Sequence, residues 1–203
     1  MQLSPEKTRS LLHELADWLL FEGCEPLELV VCGGTALLLQ GLALRTTRDV
    51  DVLGQWTPTL MQATCIEAFP EKVRLCIARV AENHPELEGM KEDWVNLGPR
   101  RLARWGLPAG YEQRLTTVRF NDRLTLKLLS RLDLMPLKLY AAADDLGLRQ
   151  QIHLADLKAL KPTFEELDVA LDLVRKLPGI DEKRVQLEAI VEELGYDDLA
   201  IYI

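Results

Sequence analysis

The sequence has no long apolar run, few histidines and no surplus of basic residues, and each shortage excludes a class of protein. No stretch approaches the ~18 consecutive apolar residues that a membrane span requires. Lys and Arg number 24 against 32 Asp and Glu, and the net charge of −8 excludes a surface that is cationic throughout, although a local basic patch stays open. The three histidines lie near no nucleophile motif, so Cys-His or Ser-His-Asp catalysis is unsupported.

The cysteines form no recognisable metal or redox pattern. The four of them stand at intervals of 8, 33 and 11 residues, which match neither a zinc knuckle nor a CxxC pair: Cys24, Cys32, Cys65 and Cys76. Because each lies among apolar residues, we expect buried, reduced thiols. The amino terminus lacks the basic-then-apolar layout of a signal peptide, so a cytoplasmic location is expected.

What the sequence does contain is the composition of an ordinary globular protein. It has 203 residues, of which 48% are hydrophobic and 28% charged, enough for one domain with a helical appendage. Helical and strand periodicities alternate up to about residue 130, and helical ones dominate afterwards. We therefore predict an α+β portion over residues 1–130, with a small mixed sheet and flanking helices, followed by a helical subdomain over residues 131–203 that packs on it.

The individual elements follow from periodicity together with capping and turn residues. In the first portion we expect a helix over residues 4–21, a strand over 27–32, a short helix over 35–41, a strand over 49–53, a helix over 58–80 broken near Pro70, and a hairpin of strands 115–120 and 123–129. Later helices are expected over residues 133–145, 149–160, 163–177 and 181–193, the third with a capping box of Thr163 and Glu166. Residues 84–110, rich in Pro, Gly and Trp, receive no assignment.

Two aspartates, Asp49 and Asp51, alternate with apolar residues along the predicted strand over residues 49–53. Side chains two residues apart on a strand point to the same face, so the two carboxylates should lie a few ångströms apart. Such charges repel unless a cation lies between them, and hard oxygen ligands select Mg²⁺ or Mn²⁺. A pair of aspartates that faces water on the open side of a sheet remains the alternative.

A glycine pair, Gly33-Gly34, precedes the aspartates by one helix and is followed by Thr35. Glycines between a strand and a helix let backbone N–H groups approach an anion, and the Thr35 hydroxyl can add a contact. The 15 residues from Gly34 to Asp49 suffice for a short helix and a return to an adjacent strand. The sequence therefore predicts a phosphate cradle and two carboxylates at one edge of the sheet, with a tight packing turn as the alternative for the glycines.

These motifs carry a family resemblance. Val31-Cys32-Gly33-Gly34-Thr35-Ala36, followed by Arg48-Asp49-Val50-Asp51-Val52, resembles the signature of the DNA polymerase β-like nucleotidyltransferase superfamily. The run Arg45-Thr46-Thr47-Arg48-Asp49-Val50-Asp51 is similar to the version in bacterial proteins related to abortive-infection AbiEii-type toxins. That group's lysine-bearing helix and Asp-Leu motif resemble the run from Asp133 to Ala142 and His153-Leu154-Ala155-Asp156-Leu157. The resemblance covers about residues 29–53 and 123–160.

The resemblance implies a nucleotidyltransferase-like fold and a role for each matching residue. Asp49 and Asp51 would bind the catalytic Mg²⁺ or Mn²⁺, a nucleoside triphosphate would contact Gly33, Gly34, Thr35 and Lys138, and Asp156 would complete the catalytic site. Arg48 and His153 would be supporting residues, with His153 orienting Asp156. Residue chemistry supports Lys138 separately, because a lysine among apolar residues needs an anionic partner unless it reaches solvent or pairs with a structural carboxylate.

The implied activity is transfer of a nucleoside monophosphate from a nucleoside triphosphate to a hydroxyl of an RNA, a protein or a small molecule. A toxin-antitoxin context and a protein partner are options, whereas no membrane partner is expected. The superfamily usually places a third carboxylate on a later strand, but the corresponding run here, residues 123–129, has none, which leaves the general base unidentified. The alternative is a catalytically degenerate fold that binds nucleotides or proteins. The run from Arg100 to Trp105 suits either a nucleic-acid contact or a solvated helix face.

Overall fold

The structure, a computed structural model, describes residues 3–43 and 46–203 and has the α+β architecture that the sequence predicted. The chain divides into two units, Met1–Ser130 and Arg131–Ile203. The described part of the first unit contains helices α1 (Pro5–Phe21), α2 (Gly33–Leu39), α3 (Glu71–Asn83), α4 (Arg100–Trp105) and α5 (Tyr111–Arg114), with short 3-10 helices at Pro85–Leu87 and Lys91–Trp94. Its strands are β1 (Leu27–Val31), β2 (Val50–Thr57), β3 (Gln62–Thr64), β4 (Val95–Asn96), β5 (Thr116–Arg119) and β6 (Leu124–Leu128).

The strands form a mixed sheet in the order β3-β2-β1-β6-β5, and the short β4 pairs with the beginning of β2. The pairs β1–β6 and β2–β4 are parallel, whereas the other pairs are antiparallel. Opposite β1, a bulge makes Leu53 an extra residue of β2, because Val30 pairs with Gly54 and Val31 with Val52. As a result Val52 and Leu53 are both fully buried, although they are neighbours in the chain.

The first helix shows how local signals determine the ends of an element. The Ser4 hydroxyl accepts a hydrogen bond from the N–H of Lys7, Pro5 occupies the first turn, and Gly23 follows the helix with φ +63°. The residues that α1 buries recur at helical spacing: Leu11, Leu12, Leu15, Ala16 and Leu19. The predicted helix over residues 4–21 is therefore confirmed, as is the hairpin, in which the turn is closed by Asn121 Oδ1 accepting from the N–H of Arg123 and of Leu124.

One predicted helix is partly wrong. Only α3 of the expected helix over residues 58–80 forms, and the part before Pro70 is a turn followed by β3. The N–H of Leu60 bonds to the carbonyl of Thr57, and Met61 adopts φ +51°, so the chain reverses and β3 pairs with β2. Leu60 and Met61 stay exposed, which removes the apolar face on which the helical prediction rested. The unassigned residues 84–110 supply β4 and α4.

The described part of the second unit is helical, with α6 (Arg131–Asp144), α7 (Leu148–Leu160), α8 (Phe164–Val174), a 3-10 turn at Asp181–Lys183, α9 (Arg184–Glu193) and α10 (Asp197–Ala200). Helix α6 packs against α7, α8 and α9. The predicted capping box of Thr163 and Glu166 is confirmed, since each side chain bonds to the backbone N–H of the other residue. Among the described residues, the helices are too short or too polar to cross a membrane.

Candidate functional site

The glycine turn after β1 lies directly against the carboxylate of Asp51. Gly33 is the first residue of α2 and has φ +67°, and a Cβ built on it would come 2.1 Å from Asp51 Oδ2. The N–H of Cys32 donates to the carbonyl of Asp51 at 3.0 Å, which ties the end of β1 to the beginning of β2. The predicted proximity of the glycine pair and Asp51 is therefore confirmed, and a side chain at position 33 would displace the carboxylate.

Asp49 lies in the bend that leads into β2, and its backbone is held by two threonines. Its carbonyl accepts hydrogen bonds from Thr35 Oγ1 at 2.6 Å and from Thr47 Oγ1 at 3.2 Å. Thr35 is fully buried. The resemblance implied that Thr35 contacts triphosphate, but the structure shows its hydroxyl donating to the backbone carbonyl of Asp49, so the hydroxyl helps to position the backbone of Asp49. A phosphate contact of Thr35 stays a prediction.

Burial alternates along the segment that carries the two aspartates. Val50 and Val52 are completely buried, whereas Asp49 and Asp51 are half-buried. This pattern agrees with the predicted alternation, but β2 begins only at Val50 and Asp49 lies in the bend before it. A shared direction of the two carboxylates stays a prediction. The Arg45 end of the motif that resembles the toxin-related proteins lies outside the described residues.

A short strand brings Asn96 beside Asp51. In the parallel pairing of β2 and β4, Asp51 and Asn96 are register partners, and Asn96 Nδ2 lies 3.3 Å from Asp51 Oδ1. Residues 123–129, the run that lacks the third carboxylate of the superfamily, form β6, which pairs with β1 on the side away from β2. Sequence reasoning missed Asn96, since a two-residue strand has no readable period. Its one signal was a single polar residue, Asn96, directly after the apolar pair Trp94-Val95.

The donor set limits which ion could bind. Among residues 3–43 and 46–203, no group of three or more His, Cys, Asp or Glu side chains is placed to hold a metal ion. The carboxylates of Asp49 and Asp51 are hard oxygen donors, and glycine at position 33 leaves room beside Asp51. Mg²⁺ commonly binds one or two carboxylates and takes its other ligands from phosphates and water. The residues therefore fit such an ion, with phosphate or water supplying its remaining ligands.

In the second unit, Lys138 and Asp156 form an ion pair. Lys138 Nζ on α6 lies 2.7 Å from Asp156 Oδ2 on α7, and the side chains are 7% and 1% exposed. The sequence left open whether Lys138 binds an anionic ligand, reaches solvent or pairs with a structural carboxylate. In the structure it pairs with a carboxylate. Asp156 is buried, so it is not an acidic residue of the exposed helix surface. The phosphate contact of Lys138 and the catalytic role of Asp156 stay predictions.

The imidazole of His153 bonds to a different carboxylate than the one predicted. His153 Nε2 lies 3.0 Å from Asp145 Oδ2, so the expectation that His153 orients Asp156 was wrong about the partner. Burial is the main cause that lowers the pKa of His153, and the charge of Lys138 lowers it further, against the opposing effect of Asp145 and Asp156. The neutral imidazole is therefore favoured. Its Nδ1 is buried without a hydrogen-bond partner among the described residues.

The remaining candidates lie on the surface. Arg48 is exposed in the bend before β2. In the basic run on α4, Arg100 and Arg104 both pair with Glu67, and Trp105 is 38% exposed. Glu67 offsets one of the three arginine charges in this run, so the solvated helix face and the nucleic-acid contact both stay predictions.

The four cysteines, all within the described residues, form no disulfide. Cys24, Cys32 and Cys76 are buried as expected, whereas Cys65 is half-buried. Burial, together with the neighbouring Cys24 thiol, raises the pKa of Cys76 to about 11. Cys76 is therefore protonated and unreactive at neutral pH.

Comparison with known proteins provides one match. A family model described as nucleotidyltransferase of unknown function (DUF6036) matches residues 9–172, well over half of the chain. The matched range includes the glycine pair, both aspartates, Asn96 and the ion pair of the helical unit. No curated protein and no solved structure gives a significant match.

Proposed function

Because the chain belongs to the nucleotidyltransferase family whose model matches residues 9–172, we propose that it transfers a nucleoside monophosphate from a nucleoside triphosphate to a hydroxyl group. The observation that carries the proposal is the contact between Gly33 and the carboxylate of Asp51. A turn that accepts only glycine, placed against an acidic side chain, allows a phosphate and a cation to share one small volume.

In this proposal Asp49 and Asp51 hold Mg²⁺ or Mn²⁺. The ion supplies charge neutralisation for the phosphate oxygens during displacement of pyrophosphate. Thr35 and Thr47 hold the backbone of Asp49 in place by donating to its carbonyl, so the segment that carries the first carboxylate is ordered before any ligand binds. Because glycine has no side chain, a phosphate would be able to approach the backbone N–H groups of Gly33 and Gly34 closely.

We include Lys138 and Asp156 in the proposed site because of the family resemblance and because both side chains are buried. A buried lysine held by an aspartate is an oriented cation, and we propose that it contacts phosphate while Asp156 acts on the attacking hydroxyl. The acceptor is an RNA, a protein or a small molecule. Kinship with AbiEii-type toxins, a toxin-antitoxin context and a protein partner belong to the same proposal and rest on the sequence motifs alone.

A second function is favoured by the neutral amide beside Asp51. With two carboxylates and Asn96 at this position, the site has fewer acidic ligands than catalysis with two metal ions requires. A catalytically degenerate member of the family would bind a nucleotide, or a partner protein, without transferring a nucleotidyl group.

Labelled triphosphates test both functions. The four α-³²P nucleoside triphosphates are incubated with the protein, Mg²⁺ or Mn²⁺, and separate pools of RNA, protein and small molecules. Labelled product that requires the metal and disappears in Asp49→Asn and Asp51→Asn supports the transferase. Asp17→Asn, an exposed aspartate of α1, is the matched control and should leave labelling unchanged. Metal-dependent binding of triphosphate without any labelled product supports the degenerate fold instead.

A further inference from the structure

The side-chain amide of Asn96 is held in one orientation by the chain that follows it. The N–H of Gly98 donates to Asn96 Oδ1 at 2.8 Å. Only the oxygen of an amide can accept this bond, so the amide nitrogen must point to the opposite side. On that side lies Asp51, whose Oδ1 is 3.3 Å from Asn96 Nδ2. The direction of the amide is thus determined by its neighbours.

The carboxylate of Asp51 is consequently confined from two directions. Asn96 bonds to Oδ1, while Oδ2 lies so close to Gly33 that a Cβ there would be 2.1 Å away. Both neighbours are fixed by backbone pairing, since β4 is in register with β2 and the N–H of Cys32 bonds to the Asp51 carbonyl. A rotation of the Asp51 side chain would break the bond to Asn96 or collide with the turn.

We propose that Asn96 is a positioning residue that directs the Asp51 carboxylate toward the Gly33 turn. This inference rests on the proposed function, in which cation and phosphate bind at that turn. An amide suits the task because it donates a hydrogen bond to the carboxylate without adding a third negative charge to Asp49 and Asp51. Asn96 acts through Asp51 and not on the reacting atoms, as groups that orient metal ligands do.

The dissociation constant for Mn²⁺ alone, measured from the electron paramagnetic resonance signal of the free ion, tests this role. Asn96→Ala should raise it about 10-fold, the lower end of the range for residues that orient metal ligands. Gly98→Ala should raise it in the same direction, because a Cβ at position 98 would lie 2.8 Å from Asn96 Oδ1 and displace the amide. In the Asn96→Ala background the Gly98 substitution should have little further effect.

Asn121→Ala is the matched control. Asn121 Oδ1 also accepts backbone N–H bonds, from Arg123 at 2.7 Å and Leu124 at 3.1 Å, but in the hairpin between β5 and β6. Losing it should lower the melting temperature and leave the Mn²⁺ dissociation constant unchanged. A lowered melting temperature with unchanged Mn²⁺ affinity in Asn96→Ala would show a merely structural role and overturn the inference.

The design separates failure of the inference from failure of the proposed function. If the unmodified protein binds Mn²⁺ and Asn96→Ala binds it equally well, the inference is overturned and the transferase proposal stands. If the unmodified protein binds no Mn²⁺, with or without triphosphate, the proposed metal site is overturned and the inference with it. Non-additive melting temperatures of Asn96→Ala and Asp51→Asn in EDTA should accompany the expected result, because the contact exists without metal.

Discussion

Lys138 Nζ lies 2.7 Å from Asp156 Oδ2, and the two side chains join α6 to α7 while only 7% and 1% of their surfaces are exposed. Removing two charges from water costs several kcal/mol, and the attraction between them repays this cost only when the pair is intact. The helical unit with the intact pair should therefore be much more stable than a variant in which only one of the two charges remains.

Breaking the pair should be much more harmful than replacing it. Lys138→Met and Asp156→Leu should each lower the free energy of unfolding by about 3–5 kcal/mol, because the remaining charge would be buried without its partner. The double variant should recover most of this loss. Urea unfolding of the four proteins measures the effect, and a double variant no more stable than the single ones would contradict it.

The same double variant distinguishes a structural pair from a site pair. We expect it to regain stability without regaining triphosphate affinity or turnover, because the proposed phosphate contact and the proposed catalytic carboxylate are both absent. Triphosphate affinity is measured by isothermal titration calorimetry in a buffer where all variants are folded. Recovery of affinity together with stability would remove Lys138 and Asp156 from the proposed site.

Gly33→Ala should weaken Mn²⁺ binding far more than an alanine substitution at another glycine with the same backbone strain. Both Gly33 and Gly41 have positive φ, +67° and +70°, so alanine strains each of them by about 1 kcal/mol. Only at Gly33 would the new Cβ meet Asp51, since nothing lies within 4 Å of the position at Gly41. Gly33→Ala should therefore abolish Mn²⁺ binding, whereas Gly41→Ala should preserve it. Equal Mn²⁺ affinity in the two variants would refute the prediction.

Local signals account for what could be predicted from sequence. The cap of α1, the capping box of α8 and the hairpin turn at Asn121 each depend on residues within a few positions of one another. The proximity of Gly33 and Asp51 followed because a 15-residue connection allowed little except a return to the adjacent strand. The fold class and the proximity of Gly33 to Asp51 could thus be predicted from the sequence.

Contacts between distant segments account for what could not be predicted. Strand β4 is two residues long and forms because it pairs with β2, so no sequence periodicity predicted the position of Asn96. Residues 58–69 have apolar residues at helical spacing, yet pairing of β3 with β2 prevailed. His153 is three residues from Asp156 in the chain but bonds to Asp145, because the relative placement of α6 and α7 decides which carboxylate is within reach.

Burial of His153 makes the stability of the protein depend on pH. Its pKa is lowered by burial and then by Lys138, so the unfolded chain takes up a proton before the folded protein does. The stabilisation that neutral His153 provides is therefore fully present above about pH 6.5, the ordinary pKa of histidine. It is lost as the pH falls toward the lowered pKa of the folded protein. Between about pH 7.5 and 5.5, the free energy of unfolding should therefore decrease less in His153→Gln than in the unmodified protein. An unchanged pH dependence would contradict the assignment.

The cysteines should react in an order set by burial and by the pKa of Cys76. With its pKa raised to about 11, the Cys76 thiol is ionised at pH 8 to a fraction on the order of 0.001, and it is buried as well. Cys65, which is half-buried, should therefore be alkylated first by iodoacetamide in the native protein, and Cys76 only after unfolding. Peptide mass spectrometry over time measures the order. Cys65→Ser should eliminate the early product, and early modification of Cys76 in either protein would show that its thiol is more accessible than the structure indicates.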